Sequence, residues 1–269
     1  MATKSKKTPS YDLKAADRKR SMLIRIGLTG LVVVIAVVLF GYIVLRAPEK
    51  PGDGEVRAIR VESSNVIKDG DQPKVVLSMY EDFLCPHCGA FETQFGPTIK
   101  KIVDSGAGAA DYYMVSLPML DTAATGNYSS RAGAAAYCVA EADTSPMKEA
   151  FYRFHSQLYA QQPQETGGVY PDNARLIEAA RQAGVGGDVP GCINSSRYVP
   201  MVKGMVKAAG INGTPTVKIN GEEFPITETT TPQTLVDKVK SIVGDVPGLE
   251  AAPPNSQQGG VDPGSTPAS

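Results

Sequence analysis

The stretch Phe83-Leu84-Cys85-Pro86-His87-Cys88-Gly89-Ala90-Phe91, FLCPHCGAF, sets two cysteines and a histidine within four positions of a 269-residue chain. Its meaning depends on its flanks. Before it runs PKVVLSMYEDF, residues 73–83, whose Val75, Val76, Leu77, Met79 and Tyr80 predict a central strand. After it, Pro86 suits the first turn of a helix, where its missing N–H is not needed. Phe91, Phe95, Ile99 and Ile102 then recur at steps of four, four and three, which predicts one buried helical face to about Asp104.

A Cys-x-x-Cys that opens a helix directly after a strand has a mechanical consequence. Free N–H groups and the positive end of the helix dipole stabilise a thiolate on the first sulfur, here Cys85. Cys88 follows about one turn later, within reach of a disulfide, and is expected to be the more buried. His87, when protonated, would add a second positive charge beside Cys85 and lower its pKa. A stabilised thiolate stabilises the reduced pair, which makes the disulfide a stronger oxidant. Two other uses compete. A zinc site would want four ligands and usually a second paired motif, whereas Cys138, Cys192 and His155 stand isolated. A purely structural disulfide would not need the histidine. Redox use without a metal or organic cofactor is the reading that spacing, context and compartment favour.

The compartment is read from the amino terminus. Net charge is -1 overall, so global charge suggests no nucleic-acid partner, yet residues 1–25 carry eight Lys or Arg against Asp12 and Asp17. Ile26 to Leu45 then gives 20 residues without a charged side chain. As a helix that run spans about 30 Å, one hydrocarbon core. A cleaved signal peptide is the rival, but its apolar region is usually ~7 to 15 residues and ends in a small-residue site. Arg46, Pro48, Glu49 and Lys50 follow Leu45 instead. A basic cytoplasmic tail, one transmembrane helix over 26–45 and an extracytoplasmic remainder are therefore expected. Disulfides persist in such a compartment.

A linker is expected over 46–55, a folded domain over 56–244, and a disordered tail rich in Pro, Gly and Ser over 245–269. Within the domain, strands are expected near 56–63 and in the stretch DYYMVSL after Gly108, with a turn at Asp69-Gly70. A helical insertion over about 125–210 follows: a helix from Tyr128 to Ala142, one capped by Ser145 with Pro146 first, one from Asn173 to Ala183, and a region from Cys192 to Gly210 interrupted by Pro200. His155 falls one step off the Met147, Phe151, Phe154, Leu158 stripe and is expected at the helix surface or its boundary, without a catalytic duty. Cys138 and Cys192 are expected to form a structural disulfide, with two buried free thiols as the alternative. NGTPTVKING then predicts a hairpin turning at Asn220-Gly221, and TPQTLVDKVKSIV a closing helix.

Cys85-Pro86-His87-Cys88 after a strand, Thr214-Pro215 before another, and a helical insert between them resemble a DsbA-type thiol:disulfide oxidoreductase of the thioredoxin superfamily, in its membrane-anchored actinobacterial form. The resemblance implies a thioredoxin-like α/β fold with an inserted α-helical subdomain. It implies a cis Thr214–Pro215 loop that lies against the Cys85–Cys88 pair and offers backbone groups to client peptide. It also implies exported proteins with reduced cysteines as clients and a quinone-linked membrane reoxidant of the vitamin K epoxide reductase type. Many relatives carry a buried acid six residues before the first cysteine; here that position is Met79, with Glu81 and Asp82 out of step. An oxidase is the leading expectation. A reductase or isomerase on the same fold, or a non-enzymatic binding module, are the alternatives.

Overall fold

The computed structural model describes residues 54–254, together with 28, 31, 33–39 and 52. The chain forms two units, residues 1–49 and 50–269. In the first, residues 33–39 are helical and exposed. Among the described residues no helix is long and apolar enough to cross a membrane. The expected basic tail, span and linker fall wholly or largely outside the described residues, as does 255–269.

In the second unit the elements run β1 (Ile59–Val61), β2 (Lys68–Asp69), β3 (Gln72–Pro73), β4 (Val76–Glu81), α1 (Pro86–Asp104), β5 (Ala109–Met114), α2 (Tyr128–Ala142), α3 (Glu149–Ala160), α4 (Asn173–Gln182), α5 (Val189–Asn194), α6 (Val199–Ala208), β6 (Thr216–Ile219), β7 (Glu222–Glu223) and α7 (Pro232–Val243). The main sheet has the order β1-β5-β4-β6-β7, with β4 parallel to β5 and the other pairs antiparallel. Strand β4 is thus central, and α1 is the crossover that a parallel β4–β5 pair requires. This is the thioredoxin-like α/β fold, with α2 to α6 as the helical insertion.

Local chemistry explains most element ends. Pro86 stands at the first turn of α1, and Phe91, Phe95, Ile99 and Ile102 are all buried, as the spacing predicted. Each such side chain contributes roughly 1.5–3 kcal/mol by leaving water. Asn220 and Gly221 turn the β6–β7 hairpin with φ of 52° and 85°, the left-handed pair that a two-residue turn demands. Thr231 and Thr234 form a reciprocal capping box at α7. Cys138 of α2 and Cys192 of α5 are joined in a disulfide across 54 positions.

Three expectations change. Helix α3 begins at Glu149 rather than at Pro146, because the Ser145 hydroxyl donates to Asp143 Oδ1 at 2.7 Å instead of capping. His155 is fully buried, not at the helix surface. Beyond Gly244 the chain still packs: Leu249 is buried, and the Ala252 N–H donates to Thr98 Oγ1 of α1 at 2.9 Å.

Candidate functional site

Strand β4 ends at Glu81 and four residues later the chain enters α1, so the motif sits at the carboxyl end of the central strand. Cys85 is the N-cap residue of α1, and its N–H donates to the Asp82 carbonyl at 3.0 Å. Its own carbonyl accepts from the N–H groups of Cys88 at 3.0 Å and Gly89 at 3.2 Å. Asp82 braces the same turn: Oδ1 accepts from the Leu84 N–H at 2.9 Å and Oδ2 from the Leu117 N–H at 2.8 Å. From the opposite side Gln162, just past α3, donates Nε2 to the carbonyls of Phe83 at 3.0 Å and Cys85 at 2.9 Å. Gly89 permits this approach, since a Cβ there would overlap the Gln162 side-chain oxygen.

Both motif cysteines are free thiols. Cys85 is 4% exposed and Cys88 fully enclosed. Pro86 and His87 between them are exposed. The two sulfurs have opposite acidities. Cys85 is pulled from about 9 down to about 5, first by the hydrogen bond from Cys88, then by Thr214 and by the backbone N–H groups of Cys88 and His87, against the cost of burial. His87 thus reaches the sulfur through its backbone. Cys88 is pushed up, chiefly by burial and by giving its hydrogen bond to Cys85.

Thr214 and Pro215, far away in sequence, meet the pair across the site. The Thr214–Pro215 peptide bond is cis. In the thiol form Cys85 Sγ donates to the Thr214 carbonyl at 3.4 Å. A thiolate cannot donate; it accepts instead, and the Thr214 hydroxyl, set beside both motif sulfurs, is the donor on hand. Cys138 and Cys192 lie apart from this centre, within the insertion, as a structural bridge.

Beneath the motif lies a buried group that sequence reasoning missed. His155 Nε2 is 3.0 Å from Glu81 Oε2, and its Nδ1 is 3.9 Å from Glu92 Oε2. The rings of Phe83, Tyr112, Phe151 and Tyr159 enclose the imidazole. Burial pushes Glu81 up to about 8, partly offset by a hydrogen bond from Glu92, and the Cys85 charge adds to the rise. Burial also raises Glu92 well above the carboxylate range, lowers His155, and lifts Asp82 to about 6. Glu81, Glu92 and His155 place one donor atom each within 4.8 Å, a set that in kind suits a divalent cation. Full enclosure raises the carboxyl pKa values and lowers that of the imidazole, so burial favours the uncharged form of all three groups. A signal was present in the sequence: Glu92 follows Cys88 by four in an apolar stripe, and His155 follows Phe151 by four.

The Thioredoxin family model matches residues 70–241. Among solved structures, reduced DsbA from Mycobacterium tuberculosis is 52% identical, with a TM-score of 0.67, covering 74% of this chain and 96% of that one. The reduced disulfide bond oxidoreductase DsbG from the same organism is 53% identical, with a TM-score of 0.66, covering 74% and 92%. The MdbA thiol-disulfide oxidoreductase of Corynebacterium diphtheriae, at 21% identity and a TM-score of 0.54, shares the fold. Serine/threonine-protein kinase PknE of Mycobacterium tuberculosis is 28% identical over 151 residues, which are 55% of this chain. The match spans only 26% of that kinase's length.

Proposed function

We propose that this chain, which belongs to the thioredoxin family and is a DsbA-like thiol:disulfide oxidoreductase, works as an extracytoplasmic oxidase that donates its Cys85–Cys88 disulfide to exported proteins. One observation carries the direction: Cys85 is held near pKa 5 while Cys88 is pushed up, so the reduced pair is stabilised as thiolate plus thiol. A pair more stable when reduced gives its disulfide away more readily.

The steps follow from that asymmetry. A client thiolate attacks Cys85 Sγ; the Cys85–Cys88 bond breaks and a mixed disulfide forms. Cys88 leaves as a thiolate that burial makes strongly basic, and it takes a proton. Glu81, still protonated at neutral pH and near enough for its charge to act on Cys88, is the source. The second client thiolate then attacks the client sulfur of the mixed disulfide and expels Cys85, the better leaving group. Two electrons pass to the protein. Thr214 and Pro215 border the sulfur and form the surface on which the client backbone lies.

Support for the compartment comes from the basic run before the 20 uncharged residues 26–45, read as an anchor with a cytoplasmic amino terminus. The reduced pair must return its electrons, and a quinone-linked membrane protein of the vitamin K epoxide reductase type fits an anchored domain. Equilibration of the full chain with glutathione tests the direction. A potential well above that of thioredoxin, which lies near about -270 mV, is expected, and a value at or below it would make the protein a reductase.

A further inference from the structure

The directions of the strands fix where the chain enters the second unit. Strand β4 runs toward Cys85, and β5 is parallel to it, with Met114 opposite Glu81. Strand β1 is antiparallel to β5, with Ile59 opposite Tyr112 and Val61 opposite Ala110. Residues before Ile59 therefore extend toward Met114, at the end of the sheet that carries Cys85. Tyr137 of α2 fastens them there. Its hydroxyl donates to the Arg57 carbonyl at 2.7 Å and accepts from the Met114 backbone. Adjacent strands lie about 4.8 Å apart, so Arg57 stands about 10 Å across the sheet from Glu81. The four residues from Glu81 to Cys85 add at most about 14 Å.

The carboxyl-terminal segment is fastened elsewhere. The Ala252 N–H is bonded to Thr98 of α1, twelve residues beyond Pro86 and about 18 Å down the helix from the redox loop. Arg57 and Ala252 thus mark the near and far ends of the unit relative to Cys85. Leu45, which closes the uncharged run, is twelve residues before Arg57, a path of at most about 43 Å. A body tied at one end turns that end toward the tie.

We infer that the end of this unit carrying Cys85 faces the bilayer, and that the partner it meets there is a cysteine-bearing segment of a membrane-embedded protein, held close to the bilayer surface. The inference rests on the anchor proposed above for residues 26–45. It specifies where a reoxidant must keep its reactive sulfurs: beside the interface, not on a domain standing far out from it. A short tether presents the redox pair to such a segment at an effective concentration in about the millimolar range, without any new contact. Had the chain entered beside Ala252, the same tether would hold Cys85 outward.

The probe is a dicysteine peptide joined to a lipid by a short spacer, in phosphatidylcholine vesicles that also carry the full disulfide-form chain. One probe thiolate opens the Cys85–Cys88 bond and the second displaces Cys85. Two electrons pass to the protein; one proton ends on Cys88 and the other in solvent. Rates are read by acid quenching, alkylation and mass spectrometry, beside those of the same peptide without lipid. In a rearranged chain residues 1–53 follow Pro254, which ties the unit by its far end. The unaltered chain is expected to oxidise the lipid-linked peptide roughly tenfold faster, since a tether that cannot span two sites gives no effective concentration. The free peptide should react equally with both. Forty Gly and Ser residues inserted between Pro51 and Gly52 should slow only the lipid-linked reaction, by roughly five- to tenfold, as effective concentration falls about as the −3/2 power of tether length. A redox pair held away from the bilayer would gain from the longer tether, so the sign decides even if the rearranged chain misfolds. Equal rates for the two placements, or an insertion that speeds or spares the reaction, would overturn the inference. Release of the chain from the vesicles would remove the anchor and the inference together. Failure to oxidise either peptide would instead sink the oxidase reading alone, with the same ratios then read from reduction of the lipid-linked disulfide by the dithiol chain.

Discussion

The pH dependence of the redox potential follows from the two sulfurs' acidities. With Cys85 near 5 and Cys88 pushed up, reduction at neutral pH takes up two electrons but a single proton, on Cys88. For a two-electron couple each proton contributes about 30 mV per pH unit, so the potential should fall by about 30 mV per unit above pH 5 and by about 59 mV below it. A thiol left near 9 would place that break four units higher. The stabilisation is sizeable: at pH 7 a thiol of pKa about 5 is ionised about a hundredfold more than one of 9, worth about 3 kcal/mol, or about 60 mV. Glu81 adds a second feature. The Cys85 charge raises its pKa, so reduction draws a further proton near pH 8 and the line steepens there. Glu81→Gln should remove that steepening and leave the break at 5. The assay is equilibration of the full chain against glutathione from pH 4 to 9, with the reduced fraction read by alkylation. A uniform slope of about 59 mV between pH 5 and 8 would mean that Cys85 stays protonated, and the mechanism above would fail.

Folding stability should also depend on pH. In the disulfide form the Cys85 charge is gone, but burial, the largest cause of both shifts, still holds the Glu81 and Asp82 carboxyls above the ordinary carboxylate range, so ionising them costs stability, which is lost as pH rises from about 4 through the raised folded values. The unfolding midpoint should fall over that window, and Glu81→Gln should flatten the upper part; a midpoint that rises toward pH 8 would contradict the burial argument. Gln162→Leu removes both donors to the Phe83 and Cys85 carbonyls and should cost roughly 1–3 kcal/mol in urea unfolding while slowing disulfide exchange. Equal exchange rates in the two proteins would deny it a positioning role. Replacing both Cys138 and Cys192 by Ala should cost up to about 4 kcal/mol from the 54-residue separation, and an unchanged urea midpoint would refute that constraint.

What could be read in advance was chiefly what repeats or punctuates. The α1 stripe, the Asn220-Gly221 turn and the Thr231-Pro232 helix start each carry a local chemical reason, and each stands where that reason put it. Ser145 misled because Asp143, two residues earlier, competes for its hydroxyl. His155 misled because an imidazole among Phe and Leu reads as a boundary residue until Glu81 and Glu92 arrive from other elements. Gln162 carries no local signal: it matters through contacts with residues 77 and 79 positions away. Thr214 and Pro215 became site residues by resemblance, and their place beside Cys85 is a tertiary fact.

The Cys138–Cys192 bridge gives the molecule a lineage. Under the proposed function, each newly exported copy arrives with that pair reduced and requires the same sulfur chemistry that it will later perform. It is therefore a client before it is an enzyme, and older copies are among the donors that can finish it. A cell stripped of all such activity would make its first replacements slowly, with their helical insertions still unlocked.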